Sequence, residues 1–255
     1  MAGRELPPTS AFAGDDGSAD PVLRRALQAW TEDPGTLADV VAALGRTRVL
    51  VPVLSPGVDR STTTAALAAP DGRTALPVFT QVNAMTAWHA DARPVPVTTA
   101  QAAGAALAEG WELLVVDPAG PVAFVVPGPA VRALAAGAGW SPAVVDGAVR
   151  AEVAAAVERA SAIDEVRGVV VLPGRRAEVA VVLTVRAGLG RAALDGLLDA
   201  VGRRLSVEPV VAEEVDSLEI RVERAVSVEI AADEAPAPAR AARSLRRADR
   251  RARPG

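Results

Sequence analysis

The chain has one histidine, His89, and no cysteine, lysine or tyrosine. Its chemistry must therefore rest on carboxylates, hydroxyls, arginines and a single imidazole. Asp91 lies two positions beyond His89, and such a pair could act as a general base with an orienting carboxylate. No G-x-S-x-G elbow or other nucleophile motif accompanies it. An imidazole near the end of a short helix also meets the negative end of the helix dipole, so His89 reads as a surface or capping residue. The missing side chains exclude more. Without cysteine there is no thiolate nucleophile, disulfide or thiolate zinc site. Without lysine there is no Schiff base and no P-loop of the usual kind, and one histidine cannot supply a chelating pair. The 31 acidic residues keep carboxylate acid-base chemistry open,. Asp15-Asp16, Asp117 and Glu213-Glu214 lack the spacing of an EF-hand loop and read as solvated charge or turn residues. No catalytic, cofactor-binding or metal-binding residue is assigned.

Two further patterns could bind phosphates. Gly188-Leu189-Gly190-Arg191-Ala192-Ala193 fits G-x-G-x-x-G/A, and Glu208 lies about twenty residues on, where a ribose-binding acid would be expected. Glu208, however, precedes Pro209 near the start of an expected strand, whereas the fingerprint acid ends one. Two glycines before a helix are also what a tight strand-helix turn requires, and that is the reading adopted. The second pattern is the arginine-rich C-terminus. Residues from Arg240 onward carry a net charge of +6 and the remainder about −10. Arg243, Arg246, Arg247, Arg250 and Arg251 are candidate contacts for an anionic surface, which would make binding salt-sensitive. No aromatics are interleaved for base stacking, so any nucleic-acid contact would be weak and non-specific. A solvating tail is the alternative.

The elements that must position these residues follow from apolar patterning. The chain has 255 residues, 50% hydrophobic but only 3% aromatic, so the core must be built from Ala, Val and Leu. Pro21 to Trp30 and Thr36 to Leu44 read as helices, the second opened by Thr36 as N-cap with Asp39 three positions on. RVLVPVL is a strand, and Asp71-Gly72 marks a hairpin. Asn83 to His89 is a short helix, and Val95-Pro96-Val97 an edge strand because proline cannot donate to a ladder. Thr99 caps a helix closed by Gly110. WELLVVD and VAFVV form a strand pair, followed by a helix from Ala130 to about Ala136.

AGAGWSPAV reads as the joint to a second set of elements. These are a helix from Asp146 to Ala160, a strand pair (Gly168 to Leu172 and Val179 to Val185) turning at Pro173-Gly174, a helix from Arg191 to Leu205, and strands over Val207 to Ala212 and Leu218 to Val222. The pattern predicts an α/β (α+β) protein, with a mixed-sheet N-terminal domain over 21–138 and a smaller α/β sandwich domain over 145–230. Residues 1–20 and 232–255 are expected to be disordered, being too poor in bulky apolar residues to offset ordering entropy. No run approaches the length of a membrane span, and no apolar leader opens the sequence, so a cytoplasmic location is expected.

The stretch from Arg48 to Leu134 resembles the N-terminal domain of the SseB family, named for an enhanced serine sensitivity phenotype. The resemblance is carried by RVLVPVL, the hairpin ending in DGRTALPVFT, the short helix with Trp88, the helix closed by Gly110, and WELLVVDPAG. Arg150 to Glu223 is similar in element order to the family's C-terminal domain. The resemblance implies a mixed α/β fold and a cytoplasmic bacterial protein with no catalytic residues to transfer. The expected function is a non-catalytic binding or interaction protein, not an enzyme, with a protein partner, no membrane and no cofactor. The alternatives are an RNA- or ribosome-associated factor using the arginine tail, and a small-molecule sensor for an amino acid or nucleotide.

Overall fold

The computed structural model describes residue 12 and residues 14–54, 63–69 and 71–224. The chain divides into two compact units, Met1–Ala225 and Val226–Gly255, and every described residue lies in the first. The arginines from Arg243 to Arg251 lie outside the described residues. The fold is of the α+β class, with eight α-helices and mixed and antiparallel sheets among the described residues.

Helix α1 (Pro21–Glu32) starts at Asp20, whose carboxylate accepts from the backbone N–H groups of Val22 and Leu23 at 2.7 and 3.0 Å. Residues 15–20, expected to be disordered, are tied down instead. Arg48 donates to the Asp15 carboxylate at 2.8 Å and to the Ser18 carbonyl at 2.6 Å, and Val82 N–H donates to the Gly17 carbonyl. In α2 (Leu37–Leu44), Thr36 makes no side-chain cap. Its hydroxyl donates to the Asp33 carbonyl at 2.8 Å, bracing the 3-10 turn Pro34–Thr36.

The N-terminal sheet is built from β1 (Arg48–Leu54), β2 (Thr63–Thr64), β3 (Leu67–Ala68), β4 (Thr74–Val78), β5 (Arg93–Thr98), β6 (Leu113–Val116) and β7 (Phe124–Val126). Strand β1 lies between β2 and β5, while β4 lies between β3 and β6, with β7 outermost. All neighbours are antiparallel except β4 and β6. Reciprocal bonds between Leu50 and Phe79 join the two sets. Asp71-Gly72 forms the predicted β3–β4 hairpin, with Gly72 at φ +88.

Alternation sorts the side chains onto two faces. Val49, Leu76, Val78, Leu114, Val116, Phe124 and Val126 pack against α1, α2, α4 (Thr99–Ala108) and α5 (Gly128–Ala136). Leu50 and Phe79 face the other way, toward Met85 and Trp88 of α3 (Val82–Trp88). Each fully buried Val or Leu contributes roughly 1.5–3 kcal/mol, so a core nearly free of aromatics depends on close approach of many small elements.

Beyond α5 come the hairpin β8 (Val144–Val145) and β9 (Ala148–Val149), α6 (Ala151–Ala160), β10 (Val166–Pro173), β11 (Val179–Val185), α7 (Arg191–Val207), α8 (Pro209–Glu214) and β12 (Leu218–Arg224). Two expectations are corrected here. Asp146 does not open a helix. It and Gly147 take positive φ (51° and 72°) and form the hairpin turn, the geometry that Asp-Gly favours. The expected strand over Val207 to Ala212 is instead the end of α7 and the start of α8. Pro209 is tolerated at the first turn of α8, where its missing N–H has no helical partner to lose,. Strand β11 is central, antiparallel to β10 and parallel to β12. The helices cover one face, where Val181, Leu183, Val157, Leu197 and Val201 form a core separate from the N-terminal one.

Candidate functional site

A largely apolar groove of about 370 Å³ lies on the N-terminal sheet. One wall is the face of β1 and β5 that carries Val51, Val53, Val95 and Val97. The other is α4, whose Ala102, Ala105 and Ala106 fall at i, i+3 and i+4 and so share one helix face,. Trp111 and Leu76 complete the lining. The groove follows from side-chain size, because an alanine face set against a valine face leaves space that longer side chains would fill. Val95 is 40% exposed at its lip. Gln101 and Glu109 are the polar lining residues.

Helix α4 holds its place through a capping box, one residue earlier than expected. The Thr98 hydroxyl accepts from Gln101 N–H at 3.2 Å, and the Gln101 carboxamide oxygen accepts from Thr98 N–H at 3.0 Å. Thr98→Ala is expected to cost about 1 kcal/mol, read as a lower denaturation midpoint with an unchanged slope.

At the carboxyl ends of the parallel strands β4 and β6, where ligands commonly bind in α/β sheets, the space is closed by the protein itself. Asp117 accepts from Thr80 N–H at 2.9 Å and from the Thr80 hydroxyl at 2.6 Å. It is 9% exposed, which corrects its reading as a solvated charge, although its positive φ of 47° does place it at a turn. Burial pushes its carboxyl above the usual carboxylate range, against the opposing pull of the Thr80 bonds.

A second polar cluster ties the two cores together. Asp216 accepts from the Arg73 guanidinium through both oxygens, at 2.7 and 3.1 Å, and from Gly128 N–H at the start of α5 at 2.9 Å. Its own N–H donates to Glu178 at 2.8 Å, and Glu178 also accepts from Ala143 N–H at 2.8 Å. Burial raises the Glu178 carboxyl too. Arg132 donates to the carbonyls of Ala212 and Glu213, both at 3.0 Å, where a cation complements the end of α8. Glu214 pairs with Arg150, so it is a structural contact and not solvated charge, whereas the Glu213 side chain is exposed. These groups bond one another at the junction, with the buried Nε of Arg150 left without a hydrogen-bond partner among the described residues.

The other sequence candidates are not assembled into a site. His89 is exposed at the C-cap of α3, its backbone N–H bonded to the Met85 carbonyl, and its imidazole makes no hydrogen bond to Asp91. Gly188 takes φ +84 and Gly190 is the N-cap of α7, as a tight turn requires. Glu208 lies at the far end of that helix, roughly 25 Å away at 1.5 Å per residue, and pairs with Arg159 at 3.0 Å. It cannot be a ribose-binding acid for the Gly188 turn. Among the described residues there is no cluster of three or more His, Asp or Glu able to hold a metal. No helix among them is long and apolar enough to cross a membrane.

Sequence reading missed Arg73, Glu178 and Asp216, which act across separations of 143 and 38 residues and leave no local spacing to detect. The groove did have a signal, the alanine face of α4 beside alternating valines.

Residues 23–133 match the family model described as the SseB protein N-terminal domain. No curated protein and no solved structure matches the chain. The matched residues run from most of α1 through most of α5, including both walls of the groove and the Thr80–Asp117 contact. This region of the chain is similar to the SseB protein N-terminal domain.

Proposed function

We propose that the protein is a non-catalytic interaction protein of the cytoplasm, and that the groove between β5 and α4 receives apolar side chains of a protein partner. The observation that carries this reading is the groove itself, a recess lined by valines, alanines and Trp111 beside an exposed edge strand. Its volume lies at the lower end of the ~300–1,000 Å³ typical of binding sites. The buried carboxylates Asp117 and Glu178 serve backbone and hydroxyl donors, which supports a structural role for them in place of catalysis.

The test is a photo-crosslinking residue at position 105, with a control at position 207 on the exposed end of α7. The expected result is a discrete protein adduct from position 105 that is missing from 207 and lost when Val95→Asp is added. Identical adducts from both positions, or none from 105, would sink the reading. A second reading rests on the +6 charge from Arg240 onward, which suits RNA. If removing residues 234–255 leaves RNA affinity and its salt slope unchanged, that reading fails.

A further inference from the structure

The edge beside the groove has an unusual property. Among the described residues, strand β5 is outermost and pairs only with β1. In an antiparallel ladder, residues alternate between exchanging hydrogen bonds with the partner strand and turning them away. Leu50 spends its N–H and its carbonyl on Phe79, at 2.8 and 2.9 Å, on the side away from β5. The Leu50–Pro96 pair is therefore a non-bonded one, and the neighbouring pairs Val51–Val95 and Val49–Val97 carry the ladder bonds. The β5 residues that face the open edge are then Pro94, Pro96 and Thr98. Two of them have no N–H, and the third gives its N–H to the Gln101 side chain. Over Pro94 to Thr98 the edge presents carbonyls and no free donor among the described residues, so it cannot pair with an incoming strand in the usual two-way ladder.

The walls suit a different occupant. On α4, Ala102 and Ala106 are buried at the floor and Ala105 is exposed above them, so this wall carries no long side chain to hold another helix away. Glu109, next along the same face, is the only formally charged residue lining the groove. It forms no ion pair among the described residues and sits at the C-cap of α4, where the helix dipole adds to its negative potential.

We infer that the groove takes an amphipathic helix of a protein partner, its apolar face on the valines and alanines and a Lys or Arg against Glu109, and that it does not take an added β-strand. This rests on the reading of the groove as a protein-docking surface. It follows the helix-in-groove mode, in which anchors recur at i, i+3 or i+4 and i+7, as opposed to strand addition.

The experiment is selection from a displayed random peptide library of about four helical turns on the full chain, with counter-selection on Ala105→Trp, which fills the groove from an exposed position. Circular dichroism and the melting midpoint establish that the variant is folded, and Val95→Asp is a second groove variant. Enriched peptides are expected to show helical apolar spacing with a Lys or Arg and to lack proline. They should lose at least about tenfold in affinity on either groove variant and about three- to fivefold on Glu109→Gln. On a Pro94→Val, Pro96→Val double variant, which restores edge donors, alternating strand-type sequences should newly appear. Strand-type sequences enriched on the unaltered chain, or no enriched family at all, overturn the inference. A crosslinked partner from position 105 combined with strand-type peptides overturns the helix alone. The absence of both adduct and peptides overturns the docking reading with it.

Discussion

Replacing Asp117 by alanine is expected to destabilise the protein by about 3–4 kcal/mol. Two bonds to Thr80 are lost in a buried site, at roughly 1–3 kcal/mol for the groups left unpartnered, and a Cβ residue without Asp's local bonding must hold a left-handed φ at about 1–2 kcal/mol. Two companion variants separate these causes. Asp117→Gly relieves the backbone cost and should be milder than alanine by about 1 kcal/mol. Asp117→Asn tolerates the same φ, keeps one acceptor and can donate to the Thr80 hydroxyl. It should lie within about 1 kcal/mol of the unaltered chain at neutral pH. The pH dependence has a definite sign. Burial raises the folded carboxyl above its unfolded value, so between those two values the folded state keeps a proton that the unfolded state has released. Stability therefore falls as pH rises through that window. Asp117→Asn should flatten this slope but not abolish it, because Glu178 is shifted in the same direction by the same cause. Denaturant midpoints across the window measure both effects, and an Asn variant with an unaltered slope would contradict the assignment.

Asp216→Ala is expected to cost about 3 kcal/mol, because the carboxylate makes charge-assisted bonds to Arg73 and a bond to the N-terminus of α5, each bond to a charged group being worth about 1.5–3 kcal/mol before relaxation. The side chains of Arg73 and Asp216 are 22% and 16% exposed, so water screens the pair only in part. Arg73 also bonds Asp71 at 2.7 Å, which keeps its charge from being stranded and limits the loss. A double-mutant cycle with Arg73→Ala should return a coupling of about 1–2 kcal/mol. The shape of the transition carries further information. Because Asp216 joins elements whose cores are separate, its loss should broaden or split the unfolding curve. Thr98→Ala, acting inside one core, should shift the curve without changing its shape. A single unbroadened transition at an unchanged midpoint would mean that the junction is held by other contacts.

Most of the secondary structure was legible in the chain because local rules governed it. The Asp71-Gly72 turn, the prolines of the edge strand, the glycine closing α4 and the 3.6-residue spacing of Leu197, Val201 and Leu205 in α7 all act over a few residues. The local misreadings also have local causes. Asp146 reads as a helix start because a helix does follow it, yet the glycine after it favours a hairpin turn. Val210 and Val211 suggested a strand by β-branching, and Pro209 at the first turn of α8 outweighed that preference. The candidate site was legible only in part. Alanines on one face of α4 and alternating valines in β1 and β5 are written in the sequence, but that they face each other across a gap is a property of the assembled layers.

The sequence by itself determined which side-chain chemistries are missing, where most of the elements form, and that no tight motif for metal or nucleotide is complete. Tertiary structure alone decided that Asp117 is buried against Thr80, that Asp216 reaches back to Arg73, and that the open edge of β5 has no free donor. The physical reason is range. Turns, caps and periodicity are fixed by neighbours in the chain, whereas burial, ion pairing and the direction of a strand's hydrogen bonds depend on groups that only folding brings together.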